Sequence, residues 1–520
     1  MRYFSGLVLL LMIVVWSSCR NDFETTPSTG NLEFSSDTIF LDTVFTNIGS
    51  STYTFKVYNR SDDDISIPSV RLGQGESSFY RLNVDGIPGK TFENVRILAK
   101  DSIFVFVETT IDINNLPNNG NTEFLYTDQI LFDPGGRQQQ VELVSLVQDA
   151  IFLFPDQNED GTVETITIGM DADGNDIAIE GFVLEDDELN FTNEKPYVIY
   201  GYAAVPNDRT LTVDAGARVH FHANSGILVA PDASMKVNGA PSSDPVAMEN
   251  QVIFEGDRLE PAFSDVPGQW GTIWLTQGST DHEFSYTTIK NGIVGILMDS
   301  NDGDRTLTLS NVQIYNNSNV GLLARTGDVY GENVVISNSG QASLACSLGG
   351  RYNFNHCTFG NYWSNSFRTF PTVQIDNVLP ISEDQVEVRD LIEANFTNCI
   401  IYGSEFLELG LIEDPSAQFN FNFTNSLIKF DDFSGDFADD PNYNFENPTL
   451  YTNVVFNVDP AFQDVDTNNL NIESGTSGAD GIGLAGVPPA VDINGVIRSL
   501  TNPDAGASEA IVFPDPDGRP

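Results

Sequence analysis

Few residues in this chain carry chemistry by type and spacing alone. Asp281-His282-Glu283 sets a carboxylate on each side of an imidazole, the composition of an acid–base pair. Its position at a strand entrance reads more simply as a turn. His220 and His222 stand two apart on one expected strand, so their rings share a face. Two imidazoles fall short of the ligand count of a protein metal centre, and the pair reads as structural. Asp156, Asn158 and Asp160 put oxygens at positions 1, 3 and 5 of a calcium loop, with Gly161 at position 6. Position 12 is Thr167, not Glu. The spacing leaves two readings open, a calcium site or an Asx-type turn. Tyr362, Trp363, Phe367, Arg368 and Phe370 form the densest aromatic group, with a cation in a chain short of them. Such side chains stack on sugar rings or anchor a protein partner. They equally suit a small core beneath a loop.

The elements that must position these residues declare themselves by repetition. Six segments align without gaps, beginning at Tyr286, Asn311, Asn333, His356, Asn398 and Asn425. Their fourth positions, Ile289, Ile314, Ile336, Phe359, Ile401 and Ile428, are all large and apolar, at intervals of 25, 22, 23, 42 and 27 residues. Two places earlier stand Thr287, Val312, Val334, Cys357, Cys399 and Ser426. Alternation with period two marks a strand with one buried face. Asn291, Asn316, Asn338 and Asn361 follow two places after the apolar residue, where asparagine tolerates a left-handed turn and its amides can bond along a ladder. A strand and turn every 23 residues or so describes one coil of a stacked solenoid, whose coils share one core.

On these segments the chain resembles the right-handed parallel β-helix proteins, the superfamily of pectate lyases and polygalacturonases. The resemblance implies about nine coils from Leu211 to Phe430, about 43 Å long at the usual strand spacing. It does not carry over a catalytic residue. The Asn-Thr-Asp, Gly-Asp-Asp and Gly-His-Gly signatures of polygalacturonases are absent. The basic residues that a lyase needs, Lys290, Arg325, Arg351, Arg368 and Lys429 among them, show no common column; Lys290 and Lys429 stand at the same repeat position but several coils apart. The 42-residue interval between Phe359 and Ile401 holds an excursion of the kind beside which β-helix enzymes place their substrate groove, and loops on a rigid scaffold concentrate function.

The flanking regions complete the organisation. The stretch 1–19 has Arg2, an apolar core from Gly6 to Val15, and Trp16-Ser17-Ser18-Cys19, which resembles a bacterial lipobox with Cys19 as the lipidated residue. Asn21-Asp22-Phe23-Glu24 resembles the acidic surface-export signal of Bacteroidetes lipoproteins. Residues 20–30 form a tether. Residues 31–150 carry short strand-like runs between turn clusters and suit an immunoglobulin-like β-sandwich. Residues 151–200 read as an acidic junction, 201–460 as the β-helix, and 461–520 as a C-terminal module resembling the cap that closes the last coil of bacterial β-helix proteins. The expected fold class is therefore all-β, a right-handed parallel β-helix preceded by an immunoglobulin-like sandwich. Cys346, Cys357 and Cys399 fit as small buried hydrophobes.

A net charge of −50, from 74 acidic and 24 basic side chains, argues against a nucleic-acid partner, because phosphate binding needs clustered Lys and Arg. It also disfavours a polyanionic substrate unless metal ions bridge it. The expectation is a non-catalytic surface lipoprotein on the outer membrane, binding glycan or a protein partner through the β-helix flank near residues 362–395, with calcium as the one cofactor in question. The alternatives are a polysaccharide lyase or hydrolase, and a structural stalk or adhesin.

Overall fold

The computed structural model describes residues 25–116, 122–132, 138–171, 173–244, 246–299, 305–382 and 385–514. Cys19 and the rest of the leader lie outside them. The chain divides into two compact units, Met1–Asp149 and Ala150–Pro520.

The first unit is a two-sheet sandwich. One sheet joins Thr38–Phe45, Gln139–Gln148, Glu123–Phe132, Ile65–Leu72 and Thr91–Ile97, with Thr26–Pro27 at its edge. The other joins Glu33–Phe34, Tyr53–Tyr58, Ser102–Thr109, Tyr80–Val84 and Ile87–Gly89. Period-two alternation sends Val141, Leu143 and Val147 inward from one strand, against Val57, Val105 and Val107 of the facing sheet. The turn Asn59-Arg60-Ser61 is organised by one buried amide. Asn59 Nδ2 donates to the carbonyls of Asp63, Ile97 and Leu98.

The second unit is a parallel β-helix. Its strands pair with the strand one coil on, so the expected apolar column exists as a physical ladder. Register runs Ile289, Ile314, Ile336, Phe359, Ile401, Ile428. It extends past both expected ends, through Phe254, Val219, Tyr197 and Ile151 on one side and Phe456 on the other. A second column stacks Phe284, Leu309, Gly331, Phe354, Phe396, Phe423 and Tyr451. Its rings lie 5.4, 5.0 and 5.7 Å apart from Phe354 to Tyr451. Gly331 is required there, because a Cβ would meet the Phe354 ring at 2.5 Å.

The first residues of the six segments are the corners. Tyr286, Asn311, Asn333, His356, Asn398 and Asn425 all have φ between 45° and 58°, so a single left-handed residue turns the chain from one face to the next. Their side chains also pair between coils: Asn333 Nδ2 donates to Asn311 Oδ1, and Asn398 meets His356. The later asparagine column is left-handed at Asn291, Asn316 and Asn338 only. Asn361 departs from it. It ends the strand Thr358–Asn361 and ties neighbouring turns, donating to the carbonyls of Ser339 and Gln341. Cys346, Cys357 and Cys399 are buried free thiols.

Three boundaries differ from expectation. The helix opens before Leu211: Ile151–Leu153 pairs with Tyr197–Ile199, Asp176–Val183 with Tyr202–Val205, and Asn190–Phe191 with Thr210–Asp214. The stretch 151–200 is a first coil with a hairpin, Thr165–Met170 against Asp176–Val183, and its acidic turns hide its short strands. The last coil is covered not by the module at 461–520 but by the loop before it. Phe437, Tyr443 and Phe445 close over Phe430, Tyr451 and Phe456, with Phe445 and Phe456 rings 4.2 Å apart. The C-terminal module instead lies along the flank. Ile472, Ala479 and Ala505 bury Ile400 and Leu427, which face outward from the helix. Corner asparagines hold it there, Asn333 to Val491, Asn398 to Leu484 and Asn425 to Ile482.

Candidate functional site

The residues with the strongest chemical character are occupied by the structure itself. Arg368 is 2% exposed. Its Nη1 and Nη2 donate to the two carboxylate oxygens of Glu408 at 2.9 and 2.8 Å, and further to the carbonyls of Phe370 and Asn361 and to Ser404 Oγ. Glu408 accepts in addition from the backbone of Thr372 and Glu405 and from Thr372 Oγ1. This is a clamp across the base of the excursion, not a cation for a ligand. Trp363 is buried with its Nε1 on Ser366, and Tyr362 packs edge-on against Phe462 of the C-terminal module. Only Phe367, at 90% exposure, and Phe370, at 40%, face solvent. The structure therefore splits the five sequence candidates: three are built into the fold and two remain on the surface.

The acid–base clusters resolve in the same way. Asp281 is a left-handed turn residue, and Lys236 bridges it to Glu283 at 2.8 and 2.9 Å. His282 is 1% exposed; its Nδ1 accepts from Met235 N, which leaves Nε2–H to donate to Ser279 Oγ. Burial, with Lys236 nearby, holds its pKa down to about 4, so it stays neutral. His220 and His222 do not act together. His220 is buried, its Nδ1 donating to Gly256 O, while His222 lies beyond the strand end, on Asp257 and stacked on Tyr200. Lys290 is paired with Glu255 at 2.9 Å. In the calcium-like loop, Asp160 Oδ1 accepts from the amide and hydroxyl of Thr162, and Asn158 Nδ2 donates to the same hydroxyl. That is the geometry of an Asx turn. Among the described residues, no three His, Cys, Asp or Glu side chains come together as a metal-holding group.

The open feature of the flank is a cleft of about 640 Å³. That size falls within the roughly 300–1,000 Å³ of small-ligand sites. The columns explain its position. Beside Ile289 and its successors, the outward positions run Ile253, Thr288, Gln313, Val335, Thr358, Ile400, Leu427. Thr288, Gln313, Val335 and Thr358 form the floor. One wall is the insertion bearing Pro241, Met248 and Gln251. The other is the near edge of the C-terminal module, with Asn468, Asn469, Asn471, Ile493 and Asn494. The module edge is fixed by Asn468, which donates to Asn316 and accepts from Ser337, and by Arg498, which is buried on Glu509 and Asn333. The slot thus crosses the helix axis.

No lining residue is Asp, Glu, Lys, Arg or His. In a chain of net charge −50, such a neutral lining is a specific property of the site. Several polar groups in it are free to bond elsewhere. Among the described residues the side-chain amides of Gln251 and Gln313 make no hydrogen bond, and Thr288 Oγ1 is buried without a partner. A buried unpaired hydroxyl costs about 1–3 kcal/mol, a cost that a polar partner supplied in the cleft would recover. Sequence reasoning missed this site. A signal was present in the outward column, which is polar at Thr288 and Gln313 and apolar at Ile400 and Leu427, where the module covers it.

No family model matches the chain, and no curated protein does. Among solved structures it is similar to the catalytic domain of a GH87 alpha-1,3-glucanase in complex with tetrasaccharides, at 11% identity over 72% of this chain and 82% of that one, with a TM-score of 0.20. A family 123 glycoside hydrolase from Clostridium perfringens, described for glycolipid glycan hydrolysis, matches at 9% identity and a TM-score of 0.17. That match covers 24% of this chain and spans 31% of the enzyme chain. At these scores neither likeness bears on function.

Proposed function

We propose that this chain is a lipid-anchored surface protein that binds a neutral glycan in the flank cleft without cleaving it. The observation that carries this reading is the lining of the cleft: amides, hydroxyls, two tyrosines and methyl surfaces, with no carboxylate, ammonium, guanidinium or imidazole. Amide and hydroxyl groups match sugar hydroxyls as donor and acceptor at once. Glycoside hydrolysis needs two carboxylates flanking the scissile bond, and a uronate polymer needs cations or a metal; the lining offers neither. The anchor rests on Trp16-Ser17-Ser18-Cys19, and the outer membrane is its proposed location. An array of immobilised neutral and acidic glycans tests the ligand class. Neutral oligosaccharides should be retained and uronate polymers should not. Release of shortened or unsaturated products by the purified protein would replace the binding reading with an enzymatic one. Cys19→Ala should move the protein from the membrane fraction to the soluble one.

A further inference from the structure

We infer that the glycan held in this cleft carries an acetamido group, read jointly by Gln313 and Val335. The inference rests on the proposed glycan-binding role of the same cleft. Register places Gln313 and Val335 side by side on adjacent strands, and Thr288 on the other side of Gln313. Neighbouring strands are about 4.8 Å apart. The floor therefore steps from a buried unpaired hydroxyl to a free amide to a branched methyl surface. Ile493 stands on the wall formed by the C-terminal module.

An acetamido group has the matching order of parts. Its N–H donates to the Gln313 amide oxygen, and its methyl, on the same side of the planar trans amide as that N–H, extends to the neighbouring coil against Val335. A plain hydroxyl at that position would bond Gln313 but leave the methyl seat facing water. A free amino sugar fits less well again. Its ammonium would enter a cleft with no carboxylate, although the chain has 74 acidic residues to draw on. The absence of charge thus separates the acetylated from the deacetylated form of one sugar, and the methyl seat separates it from the unsubstituted sugar.

The test compares three immobilised series of one backbone type: N-acetylhexosamine oligomers, their de-N-acetylated forms, and plain hexose oligomers. The acetylated series should bind about tenfold tighter than either of the others, the discrimination that one well-seated group provides. Val335→Thr keeps the branched shape and adds a hydroxyl. It should bring the acetylated and plain series to within about twofold of each other while leaving melting temperature unchanged. Gln313→Glu should invert the preference toward the de-N-acetylated series. Equal binding of plain and acetylated oligomers by the unaltered protein would overturn the acetamido assignment and leave neutral-glycan binding standing. Failure of every neutral series would overturn both. Binding to a natural glycan that mild alkali abolishes would point to an acetyl ester and also overturn the assignment.

Discussion

The excursion clamped by Arg368 and Glu408 and the cleft floored by Thr288 and Gln313 stand on the same β-helix and use polar groups in opposite ways. In the excursion Arg368 and Glu408 spend their charges on each other, with Arg368 Nε alone of the guanidinium nitrogens left without a partner. Both oxygens of Glu408 accept more than one hydrogen bond, and four of the five groups around Arg368 belong to the loop's own backbone or to its partner loop. In the cleft the groups are individually weak, uncharged and left open. The difference teaches that charge density and aromatic content report what a loop needs to hold itself together. Unsatisfied neutral groups in a concave setting report what the protein holds for something else.

The largest expected effect comes from breaking the clamp. Arg368→Ala leaves the carboxylate of Glu408 buried without its counter-charge, and stability should fall by about 3–5 kcal/mol. Calorimetry checks this. Glycan binding by the surviving folded fraction should be unchanged, and a selective loss of binding would return Arg368 to the ligand site.

Next in size is a pH effect from the buried histidines. His282 has a folded pKa of about 4, below the roughly 6.5 of the unfolded chain. As pH falls below 6.5 the unfolded state takes up a proton that the native state refuses. Stability is then lost between pH 6.5 and 4 and is flat with respect to this group above 6.5. The contribution should be about 2 kcal/mol on going from pH 7 to pH 5. His356, held down to about 3 by burial and by Arg498, adds a loss of the same sign. Urea titrations at the two pH values measure the sum, and His282→Gln should make the decline shallower. A decline unaltered by that substitution would mean that His282 titrates freely and is not part of the core.

Gln313→Ala should reverse the pattern of the clamp variant, with binding reduced about tenfold. Melting temperature should stay within the small range of a partly exposed substitution. A fall in stability matching the loss of binding would make Gln313 a structural residue and remove the contrast between the two regions. The smallest effect belongs to Phe367→Ser. The ring is 90% exposed, so stability should stay within about 0.5 kcal/mol and neutral-glycan binding should not move. Loss of binding there would place the ligand on the excursion.

The solenoid was readable because it repeats. Ile289, Ile314 and Ile336 recur at intervals of 25 and 22 residues, and a recurrence survives without knowledge of contacts. The corner role of Tyr286 and the asparagines below it was half-readable, since asparagine signals a left-handed residue but tyrosine does not. The coil at 151–200 was hidden because strands of two or three residues between acidic turns leave no period to count. Arg368 misled because its partner lies at Glu408, in the next coil, and nothing local announces a buried ion pair. The cleft was hidden for a different reason: its two walls come from residues near 248 and near 470–494, which only the folded flank brings together.

The single-residue corners also constrain how this architecture can change. Asn333, His356, Asn398 and Asn425 are successive corners in contact with the C-terminal module, so they act as evenly spaced pegs on which the module is hung. Adding or removing a coil among them would shift every later peg by about 4.8 Å and unhook the module. The coil of Asn311 already meets the module through Asn316 and Asn468, but the coil of Tyr286, between the insertion and the module, carries no peg for it. A coil gained or lost there leaves the pegs in step and changes only the gap between the two walls. The aperture of this protein is therefore set in whole coils, like the teeth of a ratchet, and chains built on the same plan would differ in gauge by discrete steps.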